Sequence, residues 1–228
     1  MGFKVKICGI NSHVALDAAL EAGADSIGFV FFEKSPRHIT LEAAAGFAIL
    51  ADDRAEKVAL TVDAADETLA AIIAALKPHV LQLHGRESPA RVAEIRARFG
   101  LPVMKALGIA SRDDLAAVPD YAAVADRLLF DAKPPKDATR PGGLGVPFDW
   151  TLLAGLDAGR PFMLSGGLDP DNVAAAIREV RPPGVDVSSG VESQPGVKDP
   201  DLIESFVAEA RRAAAAIDLL AKDERASS

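Results

Sequence analysis

Eight short apolar or β-branched runs recur along the chain, each followed by a longer stretch with helical periodicity. They are FKVKI (3–7), DSIGFVF (25–31), EKVALTV (56–62), HVLQL (79–83), PVMKAL (102–107), RLLFD (127–131), PFMLS (161–165) and GVDVS (184–188). Strands that alternate with helices call for a parallel sheet closed by crossover helices. The Ala-rich segments 12–22, 40–51, 66–76, 88–99, 169–179 and 199–216 are amphipathic, and several follow a Ser, Thr or Asp suited to capping a first turn. Two further helical segments, near 111–124 and 148–156, are weaker, the first because Pro119 interrupts it and the second because it is short.

An open doubly wound sheet can be drawn from the same alternation. Eight units in 228 residues, against roughly 250 for an eight-fold barrel, favour one α/β domain, a single (β/α)8 barrel with a parallel eight-stranded core. The barrel is expected to span 1–217. The charged, small-residue tail 218–228, ending KDERASS, is expected to fray.

Composition narrows the function classes. Apolar residues make up 49% of the chain and charged residues 25%, a balance that can bury a core. The formal net charge is −8 and the cations are dispersed, so the electrostatic footprint of a nucleic-acid binder is missing. No run approaches the length a membrane helix needs, and MGFKVKICGI reads as a first strand rather than a leader, so a cytoplasmic protein is expected. With one cysteine no internal disulfide forms, and Cys8 is either a buried apolar residue or a working thiol.

In a barrel of this kind the loops after the strands build the active-site face. Two intervals between strand starts are longer than the rest, and the extra length falls in FEKSPRHI after strand 2 and in AKPPKDATRPGGLGV after strand 6. The second is rich in Gly, Pro and Lys, as a lid is, or as an inconsequential surface insertion is. The last two strands run into SGGLDPDN (165–172) and VSSGVES (187–193). Gly-rich turns there suit a phosphate, because glycine lets the backbone N–H groups approach the anion and a helix start favours its charge.

Cys8 closes strand 1 just before a helix start near Asn11 and Ser12, where a thiol loses its proton more easily. Asp131 closes strand 6 and faces the same mouth; its bland role would be to brace the long loop. Two such groups on strand ends are what acid–base isomerisation requires. Arg37 in the loop after strand 2 offers a planar fork for a carboxylate, and His84 after strand 4 is either a pocket contact or a turn residue.

The motifs KICGI (6–10), GADSIGFVF (23–31), KSPRHI (34–39), LQLHG (81–85), FDAKPP (130–135), GGLG (142–145), LSGGLDPDNV (164–173) and GVDVSSGVE (184–192) together resemble the phosphoribosylanthranilate isomerase family nearly end to end and in the right order. The resemblance implies an Amadori rearrangement of a phosphorylated small molecule in tryptophan biosynthesis, with no metal and no organic cofactor. It implies Cys8 as general base on the sugar C2′ proton and Asp131 as general acid on the ring oxygen. It further implies Arg37 on the anthranilate carboxylate, His84 and Asp186 lining the pocket, and Gly166, Gly167, Ser189 and Gly190 around the phosphate. No nucleic-acid or membrane partner is expected, and the chain is expected to be a monomer or a homodimer.

Two rival readings start from the same phosphate loops. An indole-glycerol-phosphate synthase would be expected to place lysines and glutamates on several strand ends, whereas strand 1 here ends in Cys8 and Lys105 lies within strand 5. A non-catalytic sugar-phosphate binder would have no need of both Cys8 and Asp131.

Overall fold

The computed structural model describes residues 2–133, 142 and 148–226. Eight parallel strands, β1 (Lys4–Cys8), β2 (Ser26–Phe31), β3 (Glu56–Thr61), β4 (Val80–Leu83), β5 (Val103–Ile109), β6 (Arg127–Ala132), β7 (Phe162–Leu164) and β8 (Gly184–Val187), pair in chain order. β8 returns to β1 through the register Lys6↔Asp186, so the sheet is a closed barrel, not an open one. Each expected strand is present, with ends shifted by one or two residues.

The outer helices among the described residues are α1 (His13–Glu21), α2 (Leu41–Ala51), α3 (Asp66–Leu76), α4 (Pro89–Phe99), α5 (Val118–Ala122), α6 (Val173–Val180) and α7 (Pro200–Ala226). Ser12, Thr40 and Ser88 cap α1, α2 and α4 by accepting from the amides of Ala15, Ala43 and Arg91, as capping chemistry predicts. The segment 111–124 is divided at Pro119, as expected. The proline sits in the first turn of α5, behind a 3-10 turn over Arg112–Ala117, where the missing N–H has no helical partner to lose. The short segment near 148–156 forms only a 3-10 turn, Trp150–Leu153. The backbone of α7 stays helical to Ala226, past the limit at 217 expected for the barrel. Most of the long loop after β6 lies outside the described residues.

Strand side chains alternate between two environments. Outward residues such as Val5, Ile7, Ile27, Phe29, Leu128, Phe130, Val185 and Val187 pack beneath the helices. Inward residues Val58, Val80, Met104, Ala106, Leu129 and Met163 fill the barrel centre. Where β1 and β8 meet, the inward positions are instead charged: Lys6 and Asp186, both buried, form an ion pair at 2.7 Å.

At the strand N-termini, carboxylates tie neighbouring elements together. Asp25 accepts from the Val5 amide and from Lys4 and Arg211, and Asp126 from the Val103 amide and Arg96. The opposite rim carries the candidate chemistry.

Candidate active site

Period-two alternation along β1 aims Lys6 and Cys8 at the same side, into the barrel. Cys8 is buried at 4% exposure. Its backbone pairs in register with Gly28 of β2. A Cβ at Gly28 would stand 2.9 Å from the Cys8 Sγ and 3.1 Å from the Lys6 Nζ, so thiol and ammonium share one methyl-sized gap that only glycine leaves open. Asp186 holds Lys6 with one carboxylate oxygen and accepts from the Ser165 hydroxyl, at 3.0 Å, with the other.

The electrostatics at Cys8 differ from the sequence expectation. Burial pushes the thiol above its ordinary range; Lys6 and Lys198 pull it down, while Asp186 adds to the rise. The start of α1 lies beyond the Ser12 cap, and enclosure rather than a helix dipole dominates. Burial alone would lower Lys6, but Asp186 and the sulfur hold its ammonium above the usual lysine range.

Across β7 and β8 from Cys8, Asp131 is also buried, at 7% exposure. One oxygen accepts from the Ala132 amide, and the other lies 3.3 Å from the His84 Nε2. The Nδ1 of His84 is in turn 3.0 Å from the Gln82 amide nitrogen. Gly142, within the long loop, abuts this pair: a Cβ there would come within 2.6 Å of Asp131 and 2.8 Å of His84. The turn holding His84 is pinned by Lys105, which donates to the carbonyls of Leu83 and Gly85 and to Glu87.

Arg37 is buried at 3% exposure rather than solvated. Its Nε and Nη2 donate to the two oxygens of Glu192 at 2.6 and 2.8 Å. Glu192 opens a small antiparallel ribbon, β9 (Glu192–Gln194) and β10 (Val197–Lys198), and also receives Lys198 at 2.8 Å. Burial would raise the Glu192 carboxyl, but Arg37 and Lys198 hold it below the usual range; burial takes Lys198 below its own despite Glu192. Lys198 also donates to the Ser188 carbonyl, and the Ser188 hydroxyl donates to the Cys8 carbonyl. The Arg37 stem crosses Gly9, where a Cβ would meet Cδ at 2.5 Å. Arg37 is thereby held beside Cys8.

The Gly-rich turns after β7 and β8 abut each other. Gly166 and Gly167 take φ of +84° and +71°, in the left-handed region that favours glycine. Their N–H groups make no hydrogen bond to another described residue. A Cβ at Gly190 would lie 1.9 Å from the Leu168 carbonyl oxygen, so the Ser189–Val191 turn can only close on the preceding loop without a side chain there.

All nine residues nominated from the sequence therefore lie on, or just past, the C-terminal halves of their strands. Sequence reasoning missed Lys6, Glu192, Lys198 and Ser165. Lys6 was within reach: counting back two residues from Cys8 along a strand lands on it. Among the described residues there is no cluster of metal-ligating side chains and no helix long and apolar enough to cross a membrane.

Comparison with known proteins narrows what this arrangement does. Residues 5–209 match the family described as N-(5'phosphoribosyl)anthranilate (PRA) isomerase. The chain is 66% identical over 211 residues to N-(5'-phosphoribosyl)anthranilate isomerase of Rhodopseudomonas palustris strain BisA53, covering 92% of this chain and 97% of that protein. The phosphoribosyl anthranilate isomerase of Thermotoga maritima superposes with a TM-score of 0.83 at 37% identity, over 92% of this chain and 98% of that one. A structure of such an isomerase in complex with reduced 1-(o-carboxyphenylamino)-1-deoxyribulose 5-phosphate superposes with a TM-score of 0.80 at 35% identity, over the same shares.

Proposed function

The chain belongs to the N-(5'-phosphoribosyl)anthranilate isomerase family of tryptophan biosynthesis, and from that premise we propose how its own residues carry the reaction. The substrate is N-(5-phospho-β-D-ribosyl)anthranilate and the product 1-(2-carboxyphenylamino)-1-deoxy-D-ribulose 5-phosphate, formed by an Amadori rearrangement. Asp131 donates a proton to the furanose oxygen; the C1′–O bond breaks as the anthranilate nitrogen lone pair forms the iminium. Cys8 takes the proton from C2′, and the C–H electrons form the enolamine. A proton delivered to C1′ and loss of the hydroxyl proton at C2′ complete the ketone.

The observation that carries this reading is the placement of two proton-exchanging groups of different type, both sheltered from water, at the mouth of one barrel and separated by β7 and β8. The raised Cys8 thiol fits a base that must remove a proton from carbon, since a less acidic thiol yields a more basic thiolate. The contact between His84 and Asp131 supports a carboxyl oriented at the pocket rather than at solvent.

The phosphate is taken by the backbone N–H groups of Gly166, Gly167, Ser189 and Gly190; a Cβ at Gly166 or Gly190 would meet backbone atoms at 2.5 and 1.9 Å, so those two turns exclude side chains. Arg37 faces the anthranilate carboxylate. Glu192 accepts from its Nε and Nη2 along one edge and so fixes the plane of the guanidinium. Asp186 and His84 line the pocket.

The purified chain should discharge the fluorescence of N-(5-phosphoribosyl)anthranilate, and deuterium at C2′ should slow that decay under single-turnover conditions. An absence of turnover would refute the activity. Turnover with no isotope effect when chemistry is rate-limiting would refute proton abstraction at C2′ as the slow step.

A further inference from the structure

Elsewhere in the barrel centre the inward positions are filled by Val58, Met104, Leu129 and Met163. At the β1–β8 seam the same layer holds Lys6 and Asp186 instead. A buried ion pair loses its hydration, and well-packed apolar residues of similar volume commonly stabilise a core as well or better. Packing alone gives no reason for a lysine at 0% exposure two residues before the cysteine. The charge is close to the sulfur, since Lys6 Nζ and Cys8 Sγ flank the single gap above Gly28.

We propose that Lys6 is a positioning residue for Cys8: its ammonium, oriented by Asp186, sits beside the sulfur to meet the negative charge that arrives when Sγ gives up its own proton. This rests on the reading of Cys8 as the base. The other groups around the sulfur are few. Asp186 from β8 opposes the effect, and Lys198 from β10 reinforces it. Glu192 and Arg37 stand behind Lys198. Among the described residues, β2, β3 and the positions just after them present Gly28 and the apolar Val30, Phe32, Leu60 and Val62. Lys6 is the buried cation on the sulfur's own strand, Lys4 being exposed, and its partner Asp186 holds it through one oxygen while Ser165 occupies the other. Asp186 thus has two opposed effects, anchoring the cation and adding a negative charge of its own.

Because Cys8 is the chain's one cysteine, its ionisation can be read directly from thiolate ultraviolet absorbance against pH, as the difference between wild type and Cys8→Ser. Lys6→Met should shift the titration upward by about one unit or more, the usual effect of losing an opposite charge at this range. Lys6→Arg should stay near wild type, and Asp186→Asn, whose amide oxygen can still accept from Lys6 while the negative charge is gone, should shift it downward. Opposite shifts from the two halves of one ion pair are the signature of an electrostatic role. An ion pair that merely braces the barrel would move both variants the same way or neither, and that result would overturn the proposal. Should Lys6→Met fail to fold, Asp186→Asn decides: a downward shift supports the assignment, and no shift or an upward one overturns it. The titration involves no turnover, so it stands or falls separately from the assignment of Cys8 as the base, which Cys8→Ser kinetics test.

Discussion

Arg37 meets Glu192 edge to edge, with Nε and Nη2 on the two carboxylate oxygens at 2.6 and 2.8 Å, and the contact joins the loop after β2 to the ribbon after β8. A guanidinium gripped this way has little rotational freedom, so Glu192 fixes its orientation. Glu192→Gln keeps the shape and removes the charge. The expected result is a KM raised about tenfold with kcat changed less than about threefold, because what is lost is aim at a bound group rather than transition-state chemistry. Arg37→Ala should raise KM at least as far. Steady-state kinetics on both variants check this, and an unchanged KM in Arg37→Ala would remove Arg37 from the carboxylate.

Gly190 has no space for a methyl group: its Cβ would overlap the Leu168 carbonyl oxygen at 1.9 Å. Gly190→Ala should force the two Gly-rich turns apart, with a stability loss of about 1–3 kcal/mol from overpacking. It should also weaken binding of a phosphorylated product analogue far more than of anthranilate alone. Thermal denaturation and isothermal titration separate the two effects.

Asp25 and Glu192 should contribute to the acid limit of stability, alongside Asp66, Asp114 and Asp126, whose carboxyls are also held low. Burial would raise the Asp25 carboxyl, but the Val5 amide, Lys4 and Arg211 together hold it below the usual range, and Glu192 is held below it by Arg37 and Lys198. Groups depressed in the folded state contribute stability that is fully present above their unfolded values, near 4, and lost as pH falls through the folded ones. The melting temperature should therefore be flat with respect to these groups above about pH 5 and fall steeply below about pH 4. Asp25→Asn should be less stable at neutral pH and show a shallower acid slope.

The pH dependence of kcat/KM reports ionisations of the free enzyme. With the Cys8 thiol pushed above its ordinary range by burial, the ascending limb should continue through neutrality and past the usual thiol value near 8.5. A limb complete by about pH 7 would mean that Cys8 is not the group being titrated.

The barrel was legible in the sequence because both of its periodicities are strong. Strands buried on both faces leave apolar runs such as IGFVF (27–31) and LLF (128–130), and Ser12, Thr40 and Ser88 mark helix starts by capping chemistry. Pro119 marks the break in its segment, but a proline inside a periodic stretch does not tell whether a new helix begins at it, as α5 does here. The residues nominated from the sequence stood out by being unusual at strand ends or, like Asp186, by the family resemblance. Their partners did not: Glu192 lies 155 residues from Arg37 and Lys6 lies 180 from Asp186, and only closure of β8 on β1 brings them together. The ease of ionisation expected at Cys8 was inferred from a nearby helix start, whereas depth of burial, which a single strand does not disclose, governs it.

The most direct test of the central claim, that Cys8 and Asp131 form the proton-handling pair, is single-turnover kinetics of Cys8→Ser and Asp131→Asn alongside their affinity for a product analogue. Each substitution should cut the chemical rate by about 10²–10⁴-fold, the usual contribution of a positioned acid or base, with analogue affinity changed by less than about tenfold, because neither group is needed to hold the ground state. Turnover at the wild-type rate in either variant, with the fold intact, would contradict the account.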